Sequence, residues 1–378
     1  MDMMVSSEGT ATGFWNRHFL LKEFIRDQVP MILGIFILGV VASYIQNGFL
    51  PGTDRPFRVA GVRVAIWHLV WMGFWSGYLM GLVGEASGII SLPYTMTVLQ
   101  FDSVAVSPTS LITTFVNQFG ALFGYWRGNQ WNFDFARWLC FGAVLGSPIG
   151  PLIRVYWLQD PQPFKMTIGL ALVVMAVHLW VQITPWYMKR AERQRVFKEK
   201  FDHMMQTSTE AGEAPTGLPV NFKILTVEKS WKTVRIEYWG EQQSFSVPVM
   251  FFIGFVVGIV AAALGVGGGF MLVPIMATLF GVPLYVLVAA TIPFVITLSI
   301  TGLISYIFTM HLLVGKSTAP DWGFGLFVAS GAILGAWVAS KTQKFIPERY
   351  LKPMLGTITG LIGVLYVINY FWSLPFRI

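Results

Sequence analysis

The sequence predicts a polytopic all-α membrane protein. It is built from two inverted repeats, each a re-entrant, broken-helix hairpin plus three spanning helices, with one extra N-terminal helix. Three observations predict this. The chain of 378 residues is 54% hydrophobic and 12% charged, where a soluble domain averages about 25% charged, and its mean hydropathy is +0.61. Apolar runs recur at lengths that match a bilayer at about 1.5 Å per helical residue. Two stretches, GEASGIISLP (84–93) and GVGGGFMLVP (265–274), interrupt such runs in the same way, once in each half.

The net charge of +7 does not indicate nucleic acid, because the Lys and Arg residues lie in loops and flanks, as membrane topology requires. Fifteen Trp suit bilayer interfaces. Cys140 is the single cysteine, which rules out an intrachain disulfide. Residues 1–30 are too polar for a cleavable signal peptide, with Arg17, Lys22, Glu23, Arg26 and Asp27 ahead of any long apolar run.

Residues 1–63 form an N-terminal segment and the first transmembrane helix, an apolar run at 31–49. A loop with Arg55, Arg58 and Arg63 follows. Residues 64–188 form the first membrane repeat. Its five elements lie at 64–83, ending at GEASG, then at 89–99, 108–126, 135–157 and 164–187. Residues 189–246 are a polar linker. It opens with the basic run KRAERQRVFKEK and turns β-like at VRIEYW and QSFSVP, which flank a Gly240-Glu241 turn and suggest a small hairpin. Residues 247–378 repeat the five elements, at 247–264, ending at GVGGG, then at 270–279, 285–311, 322–341 and 349–372. At an offset of 181 (265 minus 84), Gly77 falls on Gly258, Gly88 on Gly269, Pro93 on Pro274, Ser110 on Thr291 and Tyr125 on Tyr306. After an insertion of eight, GAVLG (142–146) falls on GAILG (331–335).

The second element of each half, about ten residues, is too short to cross about 30 Å of hydrocarbon. A re-entrant hairpin solves this, with irregular backbone at the glycines shielded by protein or a watery cavity. Each half then crosses three times, so the halves are inverted. The positive-inside rule puts the N-terminus, the central linker, Lys341, Lys344, Arg349 and Lys352 in the cytoplasm and the C-terminus in the periplasm. Arg55, Arg58 and Arg63 fall outside, against that rule.

Interrupted segments at corresponding places in two repeats point to a transporter's substrate site. Each short helix starts at its glycines, with free backbone N–H groups and the positive end of a helix dipole, and two such ends would cradle an anion. The candidate substrate-binding residues are Ser87, Gly88, Gly268 and Gly269 through their backbone, and Thr109, Ser110 and Thr291 through their hydroxyls. The plainer alternatives are glycines that allow close packing and hydroxyls bonded back to their own helix. Glu85 in the first turn is a candidate for proton coupling, or for a structural bond, since a carboxylate there is costly. Asn117 and Gln118 are expected to hold helices together, His178 to be a hydrogen-bonded structural residue, and Arg127, Arg154 and His311 to snorkel to the interface. No spacing calls for a metal or another cofactor, and GVGGGF lacks the third glycine and the lysine of nucleotide loops.

A G-x-G-G-G-x-x-x-x-P motif ending a membrane segment, then a Ser/Thr/Ala-rich helix start, then G-A-x-x-G, over about residues 64–372, resembles the TauE/SafE sulfite exporter family. The first half departs from that pattern, with Ala86 and Ser87 where glycines are expected and Glu85 adding a charge. The resemblance implies a secondary permease without ATP hydrolysis. It would move sulfite or a small organosulfonate such as sulfoacetate outward across the bacterial inner membrane. An anion channel of the same architecture, or a permease for another small oxyanion, is the alternative. The partners expected are the small anion and the lipid bilayer, with a homodimer left open.

Overall fold

The computed structural model describes residues 24–83, 88–127, 132–182, 184, 224–238, 240–282, 284–314, 318–342 and 348–372. A π-helical turn (Phe24–Gln28) leads into helix α1 (Val29–Asn47). Pro30 sits in the first turn of α1, where an N–H is not needed. Gly48, left-handed at φ 77°, ends it.

The first half runs α2 (Ile66–Val83), α3 (Gly88–Thr97), α4 (Val106–Arg127), α5 (Phe133–Gly146), α6 (Ile149–Tyr156) and α7 (Pro161–Val181). Pro148, which has no N–H, separates α5 from α6. The second half runs α8 (Val247–Leu264), α9 (Gly269–Phe280), α10 (Leu284–Ile304), a π-helical turn (Ser305–Thr309), α11 (Met310–Val314), α12 (Trp322–Thr342) and α13 (Glu348–Phe371). The five-element order is therefore the same in both halves. The π turn contains Tyr306, which still matches Tyr125 at the offset of 181, and the slip of eight residues comes after it.

Among the described residues, seven helical segments are long and apolar enough to cross a membrane. They include Val247–Leu264, the first limb of the second hairpin, whose 18 residues span about 27 Å. A break at mid-membrane is therefore not imposed by length. Helix α4 is not among the seven, because its hydroxyl and amide residues lower its hydropathy.

Both hairpins close on themselves. His68, in the first turn of α2, lies with Nε2 2.7 Å from the hydroxyl of Tyr94 near the end of α3. In the second half the amide of Gln243, just before α8, donates to the carbonyl of Phe280 at the end of α9. The rings of Phe245 and Phe280 are 5.1 Å apart. Each short helix thus comes back beside the start of the limb before it.

Packing between the halves is reciprocal. Helix α2 lies along α12, while its counterpart α8 lies along α5 and α6. Helix α4 packs on α12, while its counterpart α10 packs on α5. Helices α4 and α10 meet each other, as do α7 and α13. Glycines permit these approaches. A Cβ added at Gly77 would fall 2.6 Å from Cα of Ala332, and one at Gly254 would fall 2.9 Å from Cα of Leu139. Large apolar side chains point outward instead, as at Ile45 (81% exposed) and Val174 (66%). That is the distribution expected of helices solvated by lipid.

The linker carries three strands, β1 (Ile224–Lys229), β2 (Thr233–Tyr238) and β3 (Glu241–Ser246), in an antiparallel meander. The sequence predicts only β2 and β3. Strand β1, ILTVEK, supplies the outer pairing. Asn132 ties the sheet to the helices. Its side chain caps α5 by accepting from the N–H of Phe135 at 3.0 Å and donates to the carbonyl of Ile224 at 3.0 Å.

Candidate functional site

The second glycine turn is built from left-handed backbone. Gly265 ends α8 at φ 79°, its N–H bonded to the carbonyl of Ala261 at 2.8 Å. Gly267 and Gly268 follow at φ 76° and 72°. An L-residue pays about 1–2 kcal/mol in this region. The carbonyl of Gly268 then accepts from Met271 and Leu272 at 3.1 and 3.0 Å, which starts α9.

Three other elements press on this turn. A Cβ added at Gly265 would meet the backbone of Ser107 on α4, and one at Gly267 the side chain of Thr114. At Gly268 it would lie 3.0 Å from the ring of Phe294 on α10, and at Gly269 3.3 Å from the methyl of Thr291. Gly88, the first residue of α3, faces Val266, whose Cα would lie 3.1 Å from an added Cβ. The start of the short helix in one half thus touches the glycine turn of the other. Glu85 and Ser87 lie outside the described residues.

The hydroxyl candidates divide. Thr109 donates to the carbonyl of Ala105 at 2.7 Å and accepts from the N–H of Asp321 at 2.9 Å. Thr291 donates to the carbonyl of Leu287 at 2.8 Å. A hydroxyl has one hydrogen, so in this arrangement both are committed to their own helices. Ser110 has no side-chain hydrogen bond among the described residues. It lines a cavity of about 20 Å³ together with Ser91, Thr95, Thr109 and Thr113, room for about one water.

Asn117 donates to the sulfur of Met80 on α2 at 3.1 Å, an interhelical contact. His178 pairs with Gln182 one turn on, at 2.8 Å. Arg154 corrects its sequence reading, because it does not snorkel to water: it is fully buried. It sits in the last turn of α6, and the loops carrying Ser103 and Leu158 fold over its head group. The signal for it was a lone arginine inside the apolar run SPIGPLIRVYW.

Sequence reading also passed over Asp321. It is fully buried at the start of α12. Its carboxylate accepts from the N–H of Phe324 at 3.1 Å and of Ala60 at 3.2 Å. Burial pushes its pKa up, and bonds from Phe324, Ala60 and Val59 hold part of that rise back.

Several apolar helices, paired interrupted hairpins and a helix-start cluster between the halves define a multi-pass membrane transporter. The sulfite exporter TauE/SafE family model matches residues 69–366, and the chain belongs to that family. It is 22% identical over 303 residues to a probable membrane transporter protein, YunE, of Bacillus subtilis (strain 168), covering 78% of this chain and 94% of that one. No solved structure matches it.

Proposed function

We propose that the protein is a secondary transporter that exports a small sulfur-containing anion, sulfite or a C2–C3 organosulfonate such as sulfoacetate, across the bacterial inner membrane. The observation that carries this reading is the contact of Gly88 with Val266. It sets the starts of two short helices, one from each half, beside a turn of left-handed glycines. A helix start favours an anion by about 0.3–1 kcal/mol when exposed and up to about 2 when partly buried. An N–H bond to an ionised acceptor adds about 1.5–3 kcal/mol. These offset part of the cost of desolvating a small anion while still letting a carrier release it.

The first hairpin closes at His68 and Tyr94 and the second on the sheet. With three crossings in each half, these closures belong on opposite faces, as inverted halves with alternating access between them require. The basic linker argues for a cytoplasmic sheet and N-terminus. Residues 64–188 and 247–378 are then the two moving units, joined by the 189–246 linker. Glu85 is the candidate that couples transport to protons.

Purified protein in liposomes, given labelled sulfite, sulfate and sulfoacetate under imposed pH gradients, tests the reading. Saturable uptake of sulfite or sulfoacetate in preference to sulfate is expected. Flux that rises linearly without saturating would establish a channel, and no flux of any sulfur anion would overturn the substrate assignment. Glu85→Gln should remove the response to the pH gradient. An unchanged response rules out its proton role.

A further inference from the structure

Among the described residues, no acidic side chain pairs with Arg154. Its Nε donates to the hydroxyl of Ser107 at 3.3 Å, one terminal nitrogen to the carbonyl of Leu158, and the other to the carbonyl of Ser103 at 3.5 Å. The guanidinium lies over the ring of Phe164, 3.7 Å from its centroid. The acid next to Ser103, Asp102, is paired with Lys165 at 3.2 Å. The other ion pairs among the described residues, Lys229 with Asp134 and Arg235 with Glu228, leave Arg154 out. A guanidinium does not shed its proton. Carbonyl dipoles and a ring face orient the charge without cancelling it, and a buried charge of this kind in a membrane domain calls for a counter-ion.

The position of the charge is as informative as its burial. Ser107, which accepts from Arg154, donates to the carbonyl of Ala263 at 3.1 Å. The hydroxyl of Tyr306 reaches the carbonyls of Ala262 and Ala263 at 3.2 and 3.4 Å. These carbonyls end α8, immediately before the glycine turn, and Gly265 rests on the backbone of Ser107. One residue therefore links Arg154 to the turn, and two hydroxyl donors stand beside it.

We propose that Arg154 is a fixed-charge station for the transported anion beside the second glycine turn. The anion replaces the Ser103 and Leu158 carbonyls as acceptor, and Ser107 and Tyr306 turn their hydroxyls from α8 toward it. The 3.5 Å bond to Ser103 is at the limit of a hydrogen bond and yields first. The proposal rests on the small-anion reading above.

Uptake by wild type, Arg154→Gln, Arg154→Lys and Ser107→Ala in liposomes tests it. The probes are sulfite and two C2 sulfonates of similar size, doubly charged sulfoacetate and singly charged 2-hydroxyethanesulfonate. Arg154→Gln should raise the KM for sulfite at least tenfold and shrink the preference for the doubly charged sulfonate at least threefold. Arg154→Lys should keep most of that preference. A merely structural arginine would lower yield and maximal rate but leave the preference alone. Should Arg154→Gln fail to fold, Ser107→Ala decides, with an expected rise in KM of about threefold or more. Unchanged KM and preference in the folded variants would overturn this proposal while leaving anion transport standing. A wild type that moves none of the three anions would overturn both.

Discussion

At the scale of single residues, two positions carry opposite kinds of strain. Gly268 is held at φ 72°, with Phe294, Ala261 and Leu298 within 3.2 Å of an added Cβ. Gly268→Ala pays about 1–2 kcal/mol for the left-handed backbone and crowds the start of α9. Titration of sulfite against the detergent-purified variant should show affinity down at least fivefold with the helical spectrum retained; wild-type affinity would remove the turn from the site. Asp321 is strained by charge. Its pKa is raised on folding, so the folded state binds a proton more readily than the unfolded one. Its stabilising contribution is then present below the ordinary carboxylate value and is lost as pH rises through the raised one. Thermal unfolding between pH 4 and 8 should show the melting temperature falling with pH more steeply in wild type than in Asp321→Asn. Parallel curves would mean that the buried carboxylate does not titrate. The variant should also lose about 1 kcal/mol overall, since an amide can accept only one of the two N–H bonds.

At the scale of elements, the helices of this molecule are positioned by what their glycines lack. Gly73 and Gly77 on α2 meet the backbone of Val328 and Ala332 on α12, and Gly331 and Gly335 meet α2 in return. Gly142 and Gly146 make the equivalent contacts with α8 around Phe251 and Phe255. Close approach of this kind replaces the hydrophobic drive that lipid removes. Gly77→Val would force the backbones apart, and overpacking costs about 1–3 kcal/mol or more. Size-exclusion profiles should show little monodisperse Gly77→Val protein. Gly34→Ala on α1, where nothing lies within 4 Å of an added Cβ, should behave as wild type or slightly better. Equal recovery of the two variants would contradict close packing of α2 on α12.

At the scale of the whole molecule, the reciprocal contacts tie the two halves into one unit. The sheet lies against the start of α5 through Asn132 and Ile224, while Tyr366 near the end of α13 bonds Thr97 at 2.6 Å, beside the closure of the first hairpin. Reporter fusions after Thr10 and Thr216 should therefore report cytoplasm, and one after Ile378 periplasm. A cytoplasmic signal at Ile378 would contradict the inverted arrangement.

The amino-acid sequence by itself determined the helical class, the five-element order and the second glycine turn. Hydropathy is a property of composition, and the left-handed backbone at Gly265, Gly267 and Gly268 favours glycine. It also marked β2 and β3, through alternation on either side of Gly240. It did not mark β1, because ILTVEK has too little alternation to stand out beside a polar linker. The tertiary structure decided what touches what. Thr109 and Ser110 are neighbours in sequence, yet only the fold shows that the proton of one is spent on Ala105 while the other faces a cavity. Arg154 read as a helix-end arginine reaching for water. Only the closing of the Ser103 and Leu158 loops over it turns it into a buried charge beside the glycine turn. The physical reason is that burial and pairing depend on contacts between residues far apart in the chain, such as Gly88 with Val266, and local pattern carries no information about those.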